Sequence, residues 1–414
     1  MTTLRRVAIT GIGAVTPIGS GVEGLWQGLR AERSVVRILD RFDPAPFRCH
    51  IGAQVDDFDP VVFLGAKRTK RMDRCSQLAL AAAKMAIEDA GVALEREDRE
   101  RVGAMMGTAL GGVTMAEDQH RRYLAGGVHA VDPGLALTVF AGASSCNLAI
   151  DLGLNGPNLT NGMSCASGAI AVGEGFRAIQ RGEADLMLAG GSEAPLGPLT
   201  FGAFAIIRAM STRNDDPAAA SRPFDRGRDG FVMAEGSAVL LLEERDRAIA
   251  RGARIYAEVV GYGLTNDAHH MAAPLPGGRQ AARAMTMALA TAGIGPADVD
   301  YINAHGSSTP LNDPTETLAI KTVFGERASQ VPISGTKGYY GHALGASGAI
   351  EAAICALATA RKWIPPTVNL ATPDPACDLD YTPGSGRVAD PEFLLSNSFG
   401  FGGINAALVF QRAG

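Results

Sequence analysis

Short apolar segments that resemble β-strands alternate with helix-like segments along the whole chain. The clearest helix-like segment runs from about Asp73 to Ala90 and stops at Gly91, a residue suited to a left-handed helix cap. The strand-like segments are Val7 to Thr10, Val102 to Met106, Asp185 to Ala189, Ala238 to Leu242, Val299 to Ala304 and Ala406 to Phe410. Further helices are predicted after Gly168, Gly278, Pro310 and Ser347. This alternation predicts an α/β protein with largely parallel sheets.

The chain is long enough to contain two related halves. Its 414 residues exceed the usual size of one domain, so two domains or one large fused core are both open. The segment Ile255 to Gly261 resembles a restart of the strand-then-glycine pattern at Val7 to Gly13. We therefore predict a duplication with its joint near residue 254, although two unrelated strand–helix units can look equally alike.

Composition and charge restrict the possible partners. The chain is 46% hydrophobic and 20% charged, as in a soluble globular enzyme, and its net charge of -5 argues against nucleic acid as the main partner. Six cysteines without a Cys-x-x-Cys pair predict neither a disulfide framework nor a zinc ribbon, and hence a reducing compartment. The sequence shows no signal peptide and no apolar stretch of membrane-spanning length, which predicts a cytoplasmic protein without a membrane partner.

One cysteine stands in a segment that suits a nucleophile. The segment Gly162 to Gly168 places Cys165 among small residues immediately before a helix-like run. A thiol at that point meets unpaired backbone N–H groups and the positive end of a helix dipole, and both favour the thiolate. The small neighbours would also let a substrate carbonyl reach backbone N–H groups. Cys165 is therefore a candidate nucleophile, with an inert buried thiol as the alternative.

Histidines occur in two polar segments that follow strand-like runs. His305 follows Val299 to Ala304, and His342 lies five residues after Lys337 in a glycine-rich segment. Sites in α/β proteins assemble at the carboxyl ends of strands, so these residues are candidates for such a site. The segment Asn397 to Asn405 sets two phenylalanines between glycines before the last strand. It indicates a mobile loop or a backbone N–H presented to a ligand.

Two further patterns resemble known motifs but are incomplete. Gly11 to Thr16 follows the first strand without the third glycine of a dinucleotide fingerprint, so an NAD site is not expected. The residues around Ser164 approximate the nucleophile elbow of a serine hydrolase, with alanine in place of the last glycine. A hydrolase acting through Ser164 would leave Lys337 and the phenylalanine–glycine loop unexplained, so the sequence does not favour this interpretation.

Taken together, these segments resemble the β-ketoacyl-acyl carrier protein synthases, and the likeness to the elongating type II enzymes covers nearly the whole chain. The matching pieces are Ser-Cys165-Ala-Ser-Gly, Asn-Ala-His305-Gly-Ser-Ser-Thr-Pro-Leu-Asn-Asp, Thr-Lys337 with Gly-His342, Asn-Ser-Phe-Gly-Phe401-Gly-Gly, and residues 222–236. The resemblance implies the thiolase fold, in which two similar βαβ-rich halves form a layered αβαβα arrangement. Residues 1–254 would carry the nucleophile and residues 255–414 the histidines and the lysine. A homodimer is implied, with a heterodimer of homologous subunits as the alternative.

The same resemblance implies catalytic roles. Cys165 would attack an acyl-carrier-protein thioester, with the N–H groups of Cys165 and Phe401 as the oxyanion hole. His305 and His342 would hydrogen-bond the thioester oxygen of malonyl-carrier protein as decarboxylation forms an enolate, which then attacks the acyl group. No metal or organic cofactor is implied, since the phosphopantetheine arm arrives on the carrier protein.

Other positions match supporting parts of the same family. Lys337 resembles the lysine that fixes the histidine network, and Glu316 resembles its structural partner. Leu110 and Phe204 would line the acyl pocket, and Phe401 would gate it. The cationic residues that match the docking patch for the acidic carrier protein are Lys67, Lys70 and Arg71. For any single one of these three residues, the alternative is a solvent-exposed side chain at the start of a helix, without a docking role.

Some positions depart from the family's usual pattern. Ser307, Thr309 and Ala272 are expected to face the phosphopantetheine arm, but Ala272 and Ser307 each stand where relatives commonly have threonine. The lost hydroxyl at Ala272 puts one arm contact in doubt. Ile404 replaces a threonine after Gly-Gly and would reshape the site, and Tyr339 also lies in an unusual segment.

Three other functions remain open at this level. A specialised ketosynthase of a polyketide or polyene pathway would account for the departures. A non-condensing partner of the chain-length-factor kind is disfavoured by the presence of Cys165. An acyl hydrolase that uses Ser164 would release free acid and would survive loss of Cys165. The accepted acyl length depends on the pocket around Leu110 and Phe204.

Overall fold

Strands and helices alternate through the computed structural model, which describes residues 4–414. The strands are β1 (Val7–Thr16), β2 (Gly19–Ser20), β3 (Arg37–Ile38), β4 (Ile51–Gly52), β5 (Val102–Gly107), β6 (Asn158–Asn161), β7 (Leu186–Glu193), β8 (Gly236–Glu244), β9 (Ala257–Asn266), β10 (Tyr301–Asn303), β11 (Ile333–Ser334), β12 (Trp363–Ile364), β13 (Arg387–Val388), β14 (Phe393–Gly400) and β15 (Ile404–Gln411). The helices are α1 (Gly21–Arg30), α2 (Pro60–Leu64), α3 (Ala66–Thr69), α4 (Arg74–Ala90), α5 (Val113–Gly126), α6 (Leu135–Thr138), α7 (Ala143–Leu152), α8 (Ser167–Gln180), α9 (Pro198–Ile206), α10 (Arg245–Ala250), α11 (Arg279–Ala292), α12 (Asn312–Phe324), α13 (Lys337–Tyr340) and α14 (Ser347–Arg361). The predicted α/β class is confirmed.

The main sheet has the strand order β11-β10-β14-β15-β9-β1-β8-β7-β5-β6, with β2 paired to β1. Parallel pairs join β6 to β5, β5 to β7, β11 to β10 and β10 to β14, whereas the remaining pairs are antiparallel. The expectation of largely parallel sheets is therefore wrong, and the sheet is mixed. One reason is local, because β14 and β15 are joined by the turn at 401–403, which is too short for a crossover connection.

The sheet consists of two halves with the same topology. In the order β1-β8-β7-β5-β6, two antiparallel pairs are followed by two parallel pairs. The order β9-β15-β14-β10-β11 repeats that series of directions. The halves meet where Val7 to Ile9 of β1 pair with Ala257 to Val259 of β9. This repetition agrees with a duplicated chain, and the division at residue 254 stays a prediction.

Helices cover this sheet in layers. Helix α4 packs against β1 and β8 of the first half, and α11 packs against β9 and β15 of the second. Helices α8 and α14 contact each other and strands of both halves, so they form the central layer. This is the layered arrangement that the resemblance implies. Within residues 4–414, no helix has both the length and the apolar character needed to cross a membrane.

Glycines inside β1 and β9 allow the outer helices to approach closely. A Cβ atom at Gly13 would lie 1.8 Å from the carbonyl oxygen of Ala82 in α4. A Cβ atom at Gly263 would lie 2.0 Å from the carbonyl oxygen of Ala284 in α11. Both strands therefore continue through their glycines, and β1 ends at Thr16 rather than at Thr10.

Candidate active site

The nucleophile candidate lies on a tight turn that leads into a central helix. Cys165 belongs to the 3₁₀ turn Ser164–Ala166, which directly precedes α8. Ser164 has a φ of 53°, a left-handed conformation that is unusual for a residue other than glycine. A Cβ atom at Gly400 would lie 3.1 Å from the backbone nitrogen of Cys165. The turn between β14 and β15 therefore rests directly on the nucleophile turn.

The surroundings of the thiol both favour and oppose its ionisation. Burial is the largest influence and raises the pKa of Cys165 to about 12. The charge of Lys337 and hydrogen bonds from the backbone N–H groups of Phe401 and Cys165 act in the opposite direction. The expectation of a stabilised thiolate is therefore not met in the free protein, because desolvation outweighs the nearby donors. The two N–H groups at the sulfur are those expected for the oxyanion hole.

The two histidines face each other next to this turn. The ring centroids of His305 and His342 are 5.3 Å apart, with an angle of 79° between the ring planes. Both side chains are buried, and burial together with the charge of Lys337 holds the pKa of each imidazole well below its usual value. Both rings are therefore neutral near neutral pH, and each has one N–H donor.

A buried charge network fixes the backbone of His305. The N–H groups of His305 and Gly306 donate to the carboxylate of Glu316 at 2.8 and 2.9 Å. The Nζ atom of Lys337 donates to the carbonyl oxygen of His305 at 2.6 Å and also forms an ion pair with Glu351. Glu316 was expected to be the partner of Lys337, which is wrong, since Glu351 takes that role and Glu316 holds the loop backbone.

Sequence reasoning missed Glu351 altogether. It lies on α14, its side chain is fully buried, and burial raises its pKa to about 7 despite the ammonium of Lys337. The available signal was one acidic residue within an otherwise apolar, alanine-rich helix. A fully buried carboxylate needs a charged or hydrogen-bonding partner, so such a residue is a candidate for a buried pair.

A second missed carboxylate connects the acyl pocket to the histidine loop. Glu193, at the end of β7, accepts hydrogen bonds from the Thr108 hydroxyl and from the backbone N–H groups of Ala109, Leu110 and Gly345. Burial raises the pKa of Glu193 to about 7, and these donors partly offset that effect. Glu193 therefore joins the pocket residue Leu110 to the segment that follows His342.

The predicted pocket residues do lie around the nucleophile. Cys165, Leu110 and Phe204 pack against one apolar cluster. Its buried members are Leu39, Cys49, Leu196, Phe201, Ala205, Met210, Phe231, Met233 and Leu344. The rings of Phe401 and Phe204 stack with centroids 6.1 Å apart and an interplanar angle of 23°. The β14–β15 turn thus presents an N–H group to the thiol and a ring to the pocket.

The residues expected to face the phosphopantetheine arm lie in two loops. The hydroxyl groups of Ser307 and Thr309 are 2.9 Å apart, just beyond His305. Ala272 is exposed, and its N–H donates to Nδ1 of the neighbouring His270 at 3.0 Å. Ile404 is partly buried at the start of β15 and pairs with Gly400. The structure thus places Ile404 directly after the turn that carries Phe401.

The cationic docking candidates lie on the surface around α3. Lys67, Lys70 and Arg71 are all exposed, and none of the three forms a salt bridge with a carboxylate of residues 4–414. Arg68, which lies among them, instead pairs with Asp151. The three remaining charges are therefore available to an acidic partner.

The hydrolase alternative finds no geometric support. The carbonyl oxygen of Ser164 accepts a hydrogen bond from the Ser167 hydroxyl at 2.7 Å. Across residues 4–414, no imidazole hydrogen-bonds the Ser164 hydroxyl, whereas a serine nucleophile needs an adjacent base. In the same described part of the chain, no three His, Cys, Asp or Glu residues form a group that could hold a metal ion.

Comparison with known proteins adds independent information. The family model described as "Beta-ketoacyl synthase, N-terminal domain" matches residues 4–248, and "Beta-ketoacyl synthase, C-terminal domain" matches residues 256–371. The chain is 47% identical over 408 residues to 3-oxoacyl-(acyl-carrier-protein) synthase 2 of Synechocystis sp., covering 99% of this chain and 98% of that protein. The protein of the same name from Staphylococcus aureus (strain COL) is 42% identical, with the same coverage.

Solved structures of similar proteins have the same fold as this chain. The ishigamide ketosynthase/chain length factor superposes with a TM-score of 0.93 at 38% identity, covering 99% of this chain and 100% of that chain. The TM-score is 0.92, at 37% identity and with the same coverage, for the structure of a type II PKS acyl-carrier protein in complex with its ketosynthase bound to the hexaketide. The thiolase-like fold and the class of condensing acyltransferases are thereby confirmed. The chain belongs to the β-ketoacyl synthase family.

Proposed function

We propose that this chain extends acyl chains in fatty-acid synthesis by decarboxylative Claisen condensation with malonyl-acyl carrier protein. The supporting observation is that two backbone N–H groups meet the sulfur of Cys165 beside the paired rings of His305 and His342. The polyketide alternative gains no further support. Relatives named synthase 2 are 42–47% identical, whereas the ketosynthase of the type II PKS complex is 37% identical and the ishigamide ketosynthase/chain length factor 38%.

In the first half-reaction, Cys165 takes the acyl group. Its sulfur attacks the thioester carbonyl of the acyl-carrier protein, and the negative charge on the tetrahedral oxygen is stabilised by the N–H groups of Cys165 and Phe401. The bond from the carbonyl carbon to the carrier sulfur then breaks. The proton of the Cys165 thiol ends on the departing carrier thiol, so the enzyme needs no net change of charge.

In the second half-reaction, malonyl-carrier protein loses CO2. The bond to the carboxylate breaks, its electron pair forms the enolate, and negative charge develops on the thioester oxygen. Neutral His305 and His342 can each donate one N–H to that oxygen, and loss of one such donor costs about 3 kcal/mol. The enolate carbon attacks the acyl carbonyl, the bond from that carbon to the sulfur of Cys165 breaks, and the released thiolate takes up a proton from solvent to restore the free thiol. We propose that no metal or organic cofactor takes part, because these donors and the loss of CO2 suffice.

The decisive variant is Cys165→Ala, assayed with acyl- and malonyl-carrier protein. We expect chain extension to fall by roughly 10³-fold or more, because the acyl-enzyme cannot form. Cys146→Ala is the matched control, since Cys146 is another partly buried free thiol outside the site. Undiminished extension by Cys165→Ala would refute the proposed mechanism.

We propose that the carrier protein docks on Lys67, Lys70 and Arg71. Charge reversal by Lys70→Glu should raise the KM for the carrier protein roughly threefold and leave kcat unchanged, because an exposed charge affects encounter rather than chemistry. Arg283→Glu, another exposed arginine without a salt bridge in the described chain, is the control. Equal KM values for Lys70→Glu and Arg283→Glu at low salt would contradict this docking site.

We also propose a homodimer in the cytoplasm. Exposed apolar side chains are frequent between residues 123 and 163 of the sequence, and β6 lies at the edge of the sheet, where one side has no strand partner among residues 4–414. The exposed apolar residues of this region are Tyr123, Leu124, Val128, Leu137, Val139, Phe140, Ile150, Leu159 and Met163. A reducing compartment suits the free cysteines found throughout the described chain.

A further inference from the structure

A serine hydroxyl contacts the ring of one catalytic histidine candidate. Nδ1 of His342 lies 2.8 Å from Oγ of Ser347, the first residue of α14, and both side chains are buried. Within residues 4–414, Oγ of Ser347 makes no other hydrogen bond. The two groups therefore determine each other's proton positions.

Counting protons distinguishes two arrangements of this pair. A neutral imidazole has one N–H, and a serine hydroxyl has one O–H. If Nδ1 of His342 held the ring proton, it would donate to Ser347, and the buried serine proton would have no acceptor, at a cost of about 1–3 kcal/mol. If Ser347 donates to Nδ1, both groups are satisfied and the ring proton is on Nε2.

We propose that Ser347 is a positioning residue that fixes His342 as the Nε2-protonated tautomer. The Nε2–H is then the donor available for the thioester oxygen of the malonyl group. This inference rests on the role of His342 under the proposed function. Ser347 itself touches no reacting atom and acts only through the ring.

His305 is held in a different way. Its Nδ1 atom is buried and has no hydrogen-bond partner in the described part of the chain. Its position depends on the backbone contacts with Glu316 and Lys337. Of the two rings, His342 is thus the one whose tautomer is set by a side chain.

The backbone places the ring of His342 independently of Ser347. The N–H of His342 donates to the carbonyl oxygen of Val232 at 2.7 Å, and its own carbonyl accepts from the N–H of Ala234 at 3.0 Å. These two bonds remain when the serine hydroxyl is removed. Ser347→Ala should therefore change the proton distribution on the ring more than the position of the ring.

The test separates two partial reactions in Ser347→Ala. We expect acylation of Cys165, followed by intact mass spectrometry, to stay within about twofold, because the oxyanion hole is untouched. Release of CO2 from malonyl-carrier protein should fall roughly ten- to hundredfold, less than the roughly 10²- to 10³-fold cost of losing a donor outright. Ser237→Ala is the matched control, since Ser237 is a buried serine whose hydroxyl donates to Gly191 at 2.9 Å.

Two further readouts address the tautomer itself. In ¹⁵N spectra of the imidazoles, His342 should be Nε2-protonated in the unmodified protein and a mixture in Ser347→Ala. Ser347→Thr keeps the hydroxyl and should restore CO2 release. If Ser347→Thr does not fold, the spectra of Ser347→Ala still decide the question.

Three outcomes would overturn the inference. One is unchanged CO2 release in Ser347→Ala, another is an equal fall of both partial reactions, and the third is an Nδ1-protonated ring in the unmodified protein. Failure of the broader function looks different, because then Cys165→Ala would extend chains regardless of any change at Ser347.

Discussion

At the scale of single residues, burial and the nearby hydrogen-bond donors have opposite effects on the ionisation of the Cys165 thiol. The N–H groups of Phe401 and Cys165 and the charge of Lys337 favour the thiolate, whereas burial and the carboxylate of Glu193 oppose it. Burial prevails, so the free enzyme keeps a protonated thiol. The same N–H groups become most useful when a carbonyl oxygen replaces the sulfur as their acceptor.

The raised pKa of Cys165 predicts a distinct pH dependence of alkylation. Because the thiolate reacts and the pKa lies at about 12, the thiolate fraction should rise about tenfold per pH unit. The rate of iodoacetamide modification at Cys165, measured by peptide mass spectrometry, should therefore increase roughly 100-fold from pH 7 to pH 9. A plateau within that range would show a thiol that ionises near neutrality and would contradict the desolvated environment.

At the scale of elements, local signals predicted helices better than strands. Helix α4 follows its N-cap Asp73, which accepts from Ser76, and ends at Gly91 with a φ of 62°, as the sequence predicted. Strand β1 was predicted too short, because the segment that begins at Gly11 was placed after the strand. The actual reason for Gly11 and Gly13 is the close approach of α4, a long-range contact that no local pattern reveals.

The site shows the same limit of sequence reasoning. The nucleophile and the histidines stand in recognisable segments, but Glu351 and Glu193 are single residues without a surrounding motif. Glu193 contacts Gly345 across 152 positions of sequence, so only the fold brings them together. The partners of such residues are determined by the packing of the fold, so their roles cannot be predicted from the sequence around them.

One supersecondary unit occurs twice in the chain, and the serine at the equivalent position makes different contacts in the two copies. The sequences Cys165-Ala-Ser-Gly-Ala-Ile and Gly345-Ala-Ser-Gly-Ala-Ile each form a 3₁₀ turn followed by a buried helix. In the first copy, the Ser167 hydroxyl bonds to backbone carbonyls of Ser164 and Thr108. In the second copy, Ser347 contacts His342. The nucleophile position is a glycine in the second copy, so the two halves have separate chemical tasks.

At the scale of the whole molecule, the edge strand β6, with Leu159 exposed on it and Ile150 exposed on the adjacent α7, suggests how two chains of the proposed homodimer would meet. An unpaired strand edge with neighbouring apolar side chains is a surface that proteins usually cover. Pairing of β6 with its copy in a second chain would bury both features. It would also extend the sheet across both subunits.

The proposed dimer can be tested by changing one residue of that edge. Light scattering of the unmodified protein at micromolar concentration should give twice the chain mass, and Leu159→Asp should shift it toward one chain, because a charge would be buried at the interface. Val388→Asp is the control, since Val388 is 90% exposed on β13 outside the region. A monomeric unmodified protein would contradict the dimer.

The position of β1 also has a consequence for synthesis on the ribosome. This strand is synthesised before β8 (residues 236–244) and β9 (residues 257–266), yet it lies between them in the middle of the sheet. Its backbone N–H and C=O groups therefore wait for the 219 residues between Thr16 and Gly236 before either long neighbour begins to form. Chains of such high contact order fold slowly and expose unpaired strands meanwhile, so nascent chains stalled before residue 236 should be clients of chaperones.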